Sequence, residues 1–206
     1  MKRTILTITA AVSVAASAFG QDAPSSGAAS RQDQRVASLR ERGQAITQRA
    51  FKLLSSNLMQ AVAEGGVTNA LSFCSTRALP LTRSVVEGEP VVLRRVSHKA
   101  RNPKNKADAS ELMILQAFSE KLAAGEKPSP IVRTHANGAA TYFAPIPLNN
   151  PLCLNCHGVP GKEIKPEALK LLKKLYPKDE ATGFKFGELR GMWRVDFKPT
   201  SATRRE

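Results

Sequence analysis

The sequence predicts an α+β protein, an antiparallel sheet with helices packed on it, and three observations carry that expectation. Apolar residues recur at three-and-four spacing through the first third of the chain. Two alternating runs are separated by Asn137-Gly138, a pair suited to the left-handed turn of a β-hairpin. The patterns also run helix, helix, strand, helix, hairpin, loop, helix, strand, which is not the regular alternation of a parallel sheet.

From Gln32 to Glu64, residues Val36, Leu39, Ile46, Ala50, Leu53, Leu54, Leu58, Ala61 and Val62 form one stripe, with Arg, Glu and Gln between them. The stripe fits a helical hairpin, a dimer seam or a helix laid along the domain. Gly65-Gly66 should stop this helix. A second begins near Thr68-Asn69, carries Ala70, Leu71, Phe73, Cys74 and Ala78 on one face, and should end or kink at Pro80. Pro90 to Val96 alternates as a strand. Arg101-Asn102-Pro103-Lys104-Asn105 is turn-rich, and Asp108 with Glu111 makes a capping box for a helix through Leu112, Leu115, Phe118 and Leu122. Ile131 to His135 and Ala140 to Ile146 are the hairpin strands; Pro166 opens a short basic helix through Leu169, Leu172 and Leu175; Gly187 to Phe197 is the last strand. Met113 and Met192 are expected in the core.

The chemistry is concentrated in Cys153-Leu154-Asn155-Cys156-His157. C-x-x-C-H is the attachment pattern of a c-type haem. Two thiols at that spacing add across the two vinyl groups, and the next residue offers an imidazole to the iron. A thioredoxin-like pair would stand at a helix start after a strand, but here Asn149-Asn150-Pro151 precedes and Gly158-Val159-Pro160-Gly161 follows, loop chemistry on both sides. A zinc site would want a further ligand at short spacing, and none follows His157. The expected cofactor is one covalent haem c.

The N-terminus has the form of an export signal at 1–20: Met1-Lys2-Arg3, an apolar stretch from Ile5 to Ala18, and small residues around Ala18-Phe19-Gly20. A flexible leader at 21–31, the haem domain at 32–198 and a basic tail at 199–206 complete the expected organisation. The mature protein is expected to be periplasmic or otherwise exported, with no integral membrane segment left after cleavage. The chain has 206 residues, 42% of them hydrophobic, and a formal net charge of +14. Such a surface suits an acidic protein partner or an anionic membrane surface, while export and the lack of an interleaved aromatic pattern argue against nucleic acid. A solvated basic surface is the plain alternative. A homodimer is left open.

Of the three cysteines, haem attachment uses two. Cys74 remains, in an oxidising compartment where a spare thiol is a liability. Its position on the apolar face of a helix disfavours an intersubunit disulfide and leaves two readings, a buried hydrophobe or a ligand to the iron.

A wider set of segments occurs in order: Leu71-Ser72-Phe73-Cys74 with Ala78; Arg94-Arg95-Val96-Ser97 with Arg101-Asn102-Pro103-Lys104-Asn105; Tyr142-Phe143-Ala144-Pro145-Ile146; Cys153-Leu154-Asn155-Cys156-His157-Gly158; and Ala181-Thr182-Gly183-Phe184 with Gly187 and Arg190-Gly191. Over roughly Gln32 to Phe197 the chain resembles the family of c-type haem domains with a PAS-like fold, long catalogued as a domain of unknown function and found as standalone exported proteins and as sensor modules. The resemblance implies that His157 is the proximal ligand and Cys74 the distal one. It also implies a PAS-like sheet. His98 and His135 match no family ligand and are the substitutes should Cys74 not bind.

A thiolate on iron stabilises the ferric state. A closed sixth position and the lack of an acid–base set argue against an enzyme; a peroxidase-like oxidoreductase is the lowest of the readings. The leading expectation is a redox or small-ligand sensor for a gas or a sulfur species, passing its signal to a protein partner. The alternative is an electron carrier docking through its basic face. Arg95, Arg101 and Lys99 are candidates to pair with the haem propionates. Tyr142 and Phe143 are candidates to pack on the ring, with sheet core as the other reading.

Overall fold

The computed structural model describes residues 26–199. The expected export signal, the start of the leader and all but the first residue of the basic tail lie outside the described residues. Helix α1 (Ser26–Ser84) is two helical arms, 26–64 and 67–84, on either side of Gly65 and Gly66. Gly66 has φ of +70°, a left-handed conformation that glycine reaches without a Cβ penalty. Asn69 Nδ2 donates to the Ala61 carbonyl at 2.9 Å and Arg49 to the Val85 carbonyl at 3.4 Å. The arms therefore run back along each other, which selects the hairpin among the expected uses of the stripe.

Two boundaries differ from expectation. The helix begins at Ser26, inside the stretch expected to be a leader. Gln32 and Arg35 hold its first turns to Thr134 and Gly138 on the β-hairpin, so tertiary contacts extend it beyond its apolar stripe. The second arm also passes through Pro80 and ends only at Ser84. Ala78 and Thr82 are buried on either side of the proline, and packing of this arm outweighs the one backbone bond that proline cannot make.

The rest of the chain is β1 (Val91–Val96), α2 (Ala109–Ala123), β2 (Ile131–Thr134), β3 (Ala140–Pro147), α3 (Leu154–His157), α4 (Pro166–Leu175) and β4 (Leu189–Phe197), with single 3-10 turns at Pro103–Asn105 and Pro151–Cys153. The strands form one antiparallel sheet in the order β1-β4-β3-β2. The architecture is α+β, with packed helices and a long N-terminal helical segment, as expected. Gly138, at φ +80°, turns the β2–β3 hairpin, and the Asp108–Glu111 capping box is formed in both directions.

Strand alternation divides the core between the two faces of the sheet. On one, Val91, Leu93, Tyr142, Trp193 and Val195 pack against Ile46, Ala50 and Val86. The helix lies so close that a Cβ at Gly43 would stand 2.4 Å from the Tyr142 ring. On the other, Val96, Phe143, Leu189 and Met192 pack against Ile114, Leu115 and Phe118 of α2. Met192 is core as expected, but Met113 is 62% exposed: the buried face of α2 is Glu111, Ile114, Leu115 and Phe118, one helical step away from it. No helix among the described residues is long and apolar enough to cross a membrane.

Candidate functional site

The site forms where β1 and β4 end beside the second arm of α1. On the α1 face of β1 the sequence Val91, Leu93, Arg95 steps from core to charge, with Arg95 opposite Trp193. The returning arm brings Cys74 to this end. Leu71, one turn before Cys74, packs in the same cluster as Cys156, and the Arg95 and Arg101 charges act on Cys74. The three cysteines are free thiols and half-buried. Cys156 belongs to a cluster with Leu71, Ile164, Ala168 and Leu172, so α4 covers it from outside. Cys153 packs with Leu148, Ala181 and Phe184.

The C-x-x-C-H segment is held from four places. His157 Nδ1 lies 2.9 Å from the Ala181 carbonyl; read as an N–H donor, it leaves Nε2 with the lone pair. The amides of Gly183 and Phe184 donate to the carbonyls of Gly158 and His157 at 2.7 and 2.9 Å. Gly158 approaches Leu154 so closely that a Cβ there would stand 2.7 Å from its carbonyl oxygen, which accounts for a glycine directly after the histidine. Arg101 donates to the carbonyls of Cys156 and Ala181 and pairs with Asp179 at 3.1 Å. Lys99 Nζ donates to the Thr182 carbonyl at 2.6 Å and stands 4.4 Å from the centre of the Phe184 ring.

Charge is unbalanced here. Arg95 Nε is buried with no partner. Arg190 donates to Ser97 Oγ at 2.7 Å and to the Lys99 carbonyl at 3.0 Å, and its Nε lies 3.2 Å from His157 Nδ1 and 3.5 Å from Nε2. With Nδ1 given to Ala181, that arginine rests along the nitrogen edge of the ring as a charge rather than as a donor to one lone pair. Burial, then Arg101 and Arg95, pulls Arg190 down to about 9. Burial also lowers Arg95. Burial, then Arg190 and Arg101, holds His157 well below its ordinary value, and burial pushes the Cys156 thiol up to about 11. Burial likewise raises Cys74, against the pull of Arg95 and Arg101. Asp179 is the carboxylate bonded within this cluster, and Arg101 takes it.

The structure thus brings together Cys153, Cys156, His157, Cys74, Arg95 and Arg101. Arg101 and Lys99 also donate to the loop that grips the motif, a role the sequence does not announce. Tyr142 and Phe143 do not join the group. Tyr142 is buried beneath Gly43 and Phe143 faces α2, since adjacent strand residues point to opposite faces and both faces here are core. His98 stands with its ring edge-on to Phe184, as does His157. His135 lies on the hairpin, 3.1 Å from Thr141 Oγ1. Arg190 and Ser97 enter the sequence reading only within the wider set of segments, and nothing local in the sequence marks Asp179 as a site residue. Gly191 has its own cause, since a Cβ there would stand 2.4 Å from the Val96 carbonyl oxygen.

Fold and site together define an α+β domain in which a helical arm and a sheet end close around a C-x-x-C-H loop. The chain belongs to the Tll0287-like family, whose profile matches residues 15–197. Among solved structures, it is similar to the crystal structure of the cyanobacterial heme-protein Tll0287, with 25% identity and a TM-score of 0.54 over 78% of this chain and 95% of that one. No curated protein matches.

Proposed function

We propose that the protein carries one haem c, bound through thioethers from Cys153 and Cys156, with His157 and Cys74 as the axial ligands. The observation that carries this reading is the convergence of Cys74 with the C-x-x-C-H loop beside a buried arginine nitrogen that lacks a partner. The donor set suits a porphyrin. Two thiols have the attachment spacing, an imidazole has its Nδ1 engaged by a carbonyl as metal-binding histidines usually do, and a sulfur comes from a separate element. Among the described residues no group of three or more His, Cys, Asp or Glu side chains is arranged to hold a bare metal ion, so protein ligands alone make no zinc-like cage here. Arg95 and Arg190 are cations that a pair of carboxylates would neutralise.

The group would supply one-electron chemistry at an iron with imidazole and thiolate ligands, a combination that favours the ferric state. His157 is oriented by Ala181 and kept neutral by burial. Cys74 rides on an arm set off from the rest of α1 by the non-helical Gly65-Gly66, so its arm is the element able to move when the sulfur is released. That arrangement supports a redox or small-ligand sensor in an exported protein, with its output passed to a partner. Electron transfer is the second reading, favoured by the lysine-rich outer face of α4.

Cys74→Ser tests the ligand set. The variant should keep its covalent haem by mass and pyridine-haemochrome spectrum, lose the thiolate signature in EPR, and show a higher midpoint potential. An unchanged EPR and optical spectrum would remove Cys74 from the iron. In the native protein, CO binding to the ferrous form with loss of the sulfur ligand supports sensing, whereas reversible cycling with no ligand loss supports transfer.

A further inference from the structure

The cluster that buries Cys156 uses one side of α4, namely Ala168 and Leu172 with Leu171 and Leu175 beside them. The opposite side is exposed and carries Lys170, Lys173 and Lys174, with Lys165 just before the helix and Lys178 just after it, likewise exposed. Among the described residues none of these five lysines lies within salt-bridge distance of a carboxylate. Lys173 and Lys174 stand in the last turn, where the helix dipole favours a cation, but Lys170 and Lys174 are four residues apart and repel each other. Glu167 is the acid exposed on the helix itself. A groove of about 350 Å³ lined by Lys165, Glu163 and Glu167 opens beside Asn155, in the middle of C-x-x-C-H. Leu152 and Val159, flanking the motif, and Phe186, on the loop that follows Phe184, are 51%, 41% and 57% exposed. Unpaired charge on α4 and exposed apolar side chains on the loops flanking the motif are both ingredients of a transient interface.

We infer that the outer face of α4 is the surface on which an acidic protein partner docks to exchange an electron with the site beneath it. The occupant follows from charge complementarity: a surface of one sign raises the encounter rate with a partner of the other. The inference rests on the haem reading above and holds whether the partner is a carrier or a signalling protein.

The test uses haem-loaded protein, verified by mass. Ferrous protein is oxidised to ferric by ferricyanide, which gains the one electron lost, and in parallel by the cationic cobalt(III) tris-phenanthroline. The ferricyanide rate should fall with rising salt and the cobalt rate should rise. K170E/K173E/K174E should slow ferricyanide oxidation at low salt by about tenfold and reverse both salt trends. K170Q/K173Q/K174Q should flatten them, and the control K121E/K127E/K198E, away from α4, should change the rates less than twofold. Poly-L-glutamate, standing in for an acidic protein surface, should slow oxidation of the native protein by ferricyanide and not that of the α4 reversal.

Native rates that respond alike to salt with both oxidants, or an α4 reversal no different from the control, would overturn the docking surface and leave the haem in place. If the reversal instead abolishes binding to phosphatidylglycerol vesicles while the oxidation rates stay unchanged, the face meets a membrane and the inference fails. Colourless protein without added mass would sink the haem reading first.

Discussion

Two neighbouring regions of strands β1 and β4 treat charge in opposite ways. Toward α2, every buried charge is answered. Glu111, 1% exposed, takes Arg194 at 2.7 Å, and Arg194 also holds Asp196 at 2.9 Å. Burial opposes the Arg194 charge, but these bonds outweigh it and raise its pKa. Toward the C-x-x-C-H loop, Arg95 and Arg190 are half-buried with no carboxylate bonded to either, the Arg95 Nε is buried without a partner, and both arginines are shifted down. Both regions are built from neighbouring residues of the same two strands, β1 and β4. A balanced network holds a helix on a sheet. An unbalanced one raises the energy of the chain by itself and is lowered only by an anion.

The contrast can be broken most sharply at Glu111. Glu111→Ala should destabilise the protein by about 3 kcal/mol, because it removes the buried partner of Arg194, leaving it bonded to Asp196 alone, and takes away half of the capping box; thermal or urea unfolding reads this directly. A loss near zero would mean that the paired network is ornamental.

Arg95→Met should behave with the opposite sign in protein made without haem, gaining about 1 kcal/mol since an uncompensated charge is replaced by an apolar chain. In haem-loaded protein the same change should move the midpoint potential downward, as a cation near the iron favours the reduced state. A loss of stability in the haem-free protein would show that Arg95 has a protein partner after all.

The smallest effect is at Asp108, which caps α2 in the balanced region. Its bonds to Ser110 and to the Glu111 amide hold its carboxyl below the ordinary value. The folded state then binds the proton less readily than the unfolded one, so the cap's contribution is present above the ordinary carboxylate pKa and is lost as the pH falls through the lowered one. Asp108→Asn should flatten that part of the stability curve in acid, followed by helical circular dichroism during unfolding.

Much of this was legible in the chain. The C-x-x-C-H spacing, the Asn137-Gly138 hairpin, the Asp108–Glu111 box and the stop at Gly65-Gly66 are local rules, in which residues close in sequence act on one another, and each stands in the structure where expected. Tyr142, Phe143 and Met113 show where such rules end. Alternation and helical spacing say which residues share a face, but not what that face meets, so aromatics read as possible haem contacts became sheet core and a methionine read as core became surface. Arg101 is similar: its charge was evident, but not that Asp179 and two carbonyls would claim it.

The sequence by itself determined the local elements and the two thiols and imidazole of one loop, because those depend on neighbours within a few residues. The return of the α1 arm that carries Cys74 to this loop, and the isolation of Arg95 and Arg190 from any carboxylate, depended on packing between segments far apart in the chain. Only the tertiary structure decides which charges are paired and which are left for something else, since a buried ion's energy is set by whatever the fold places beside it.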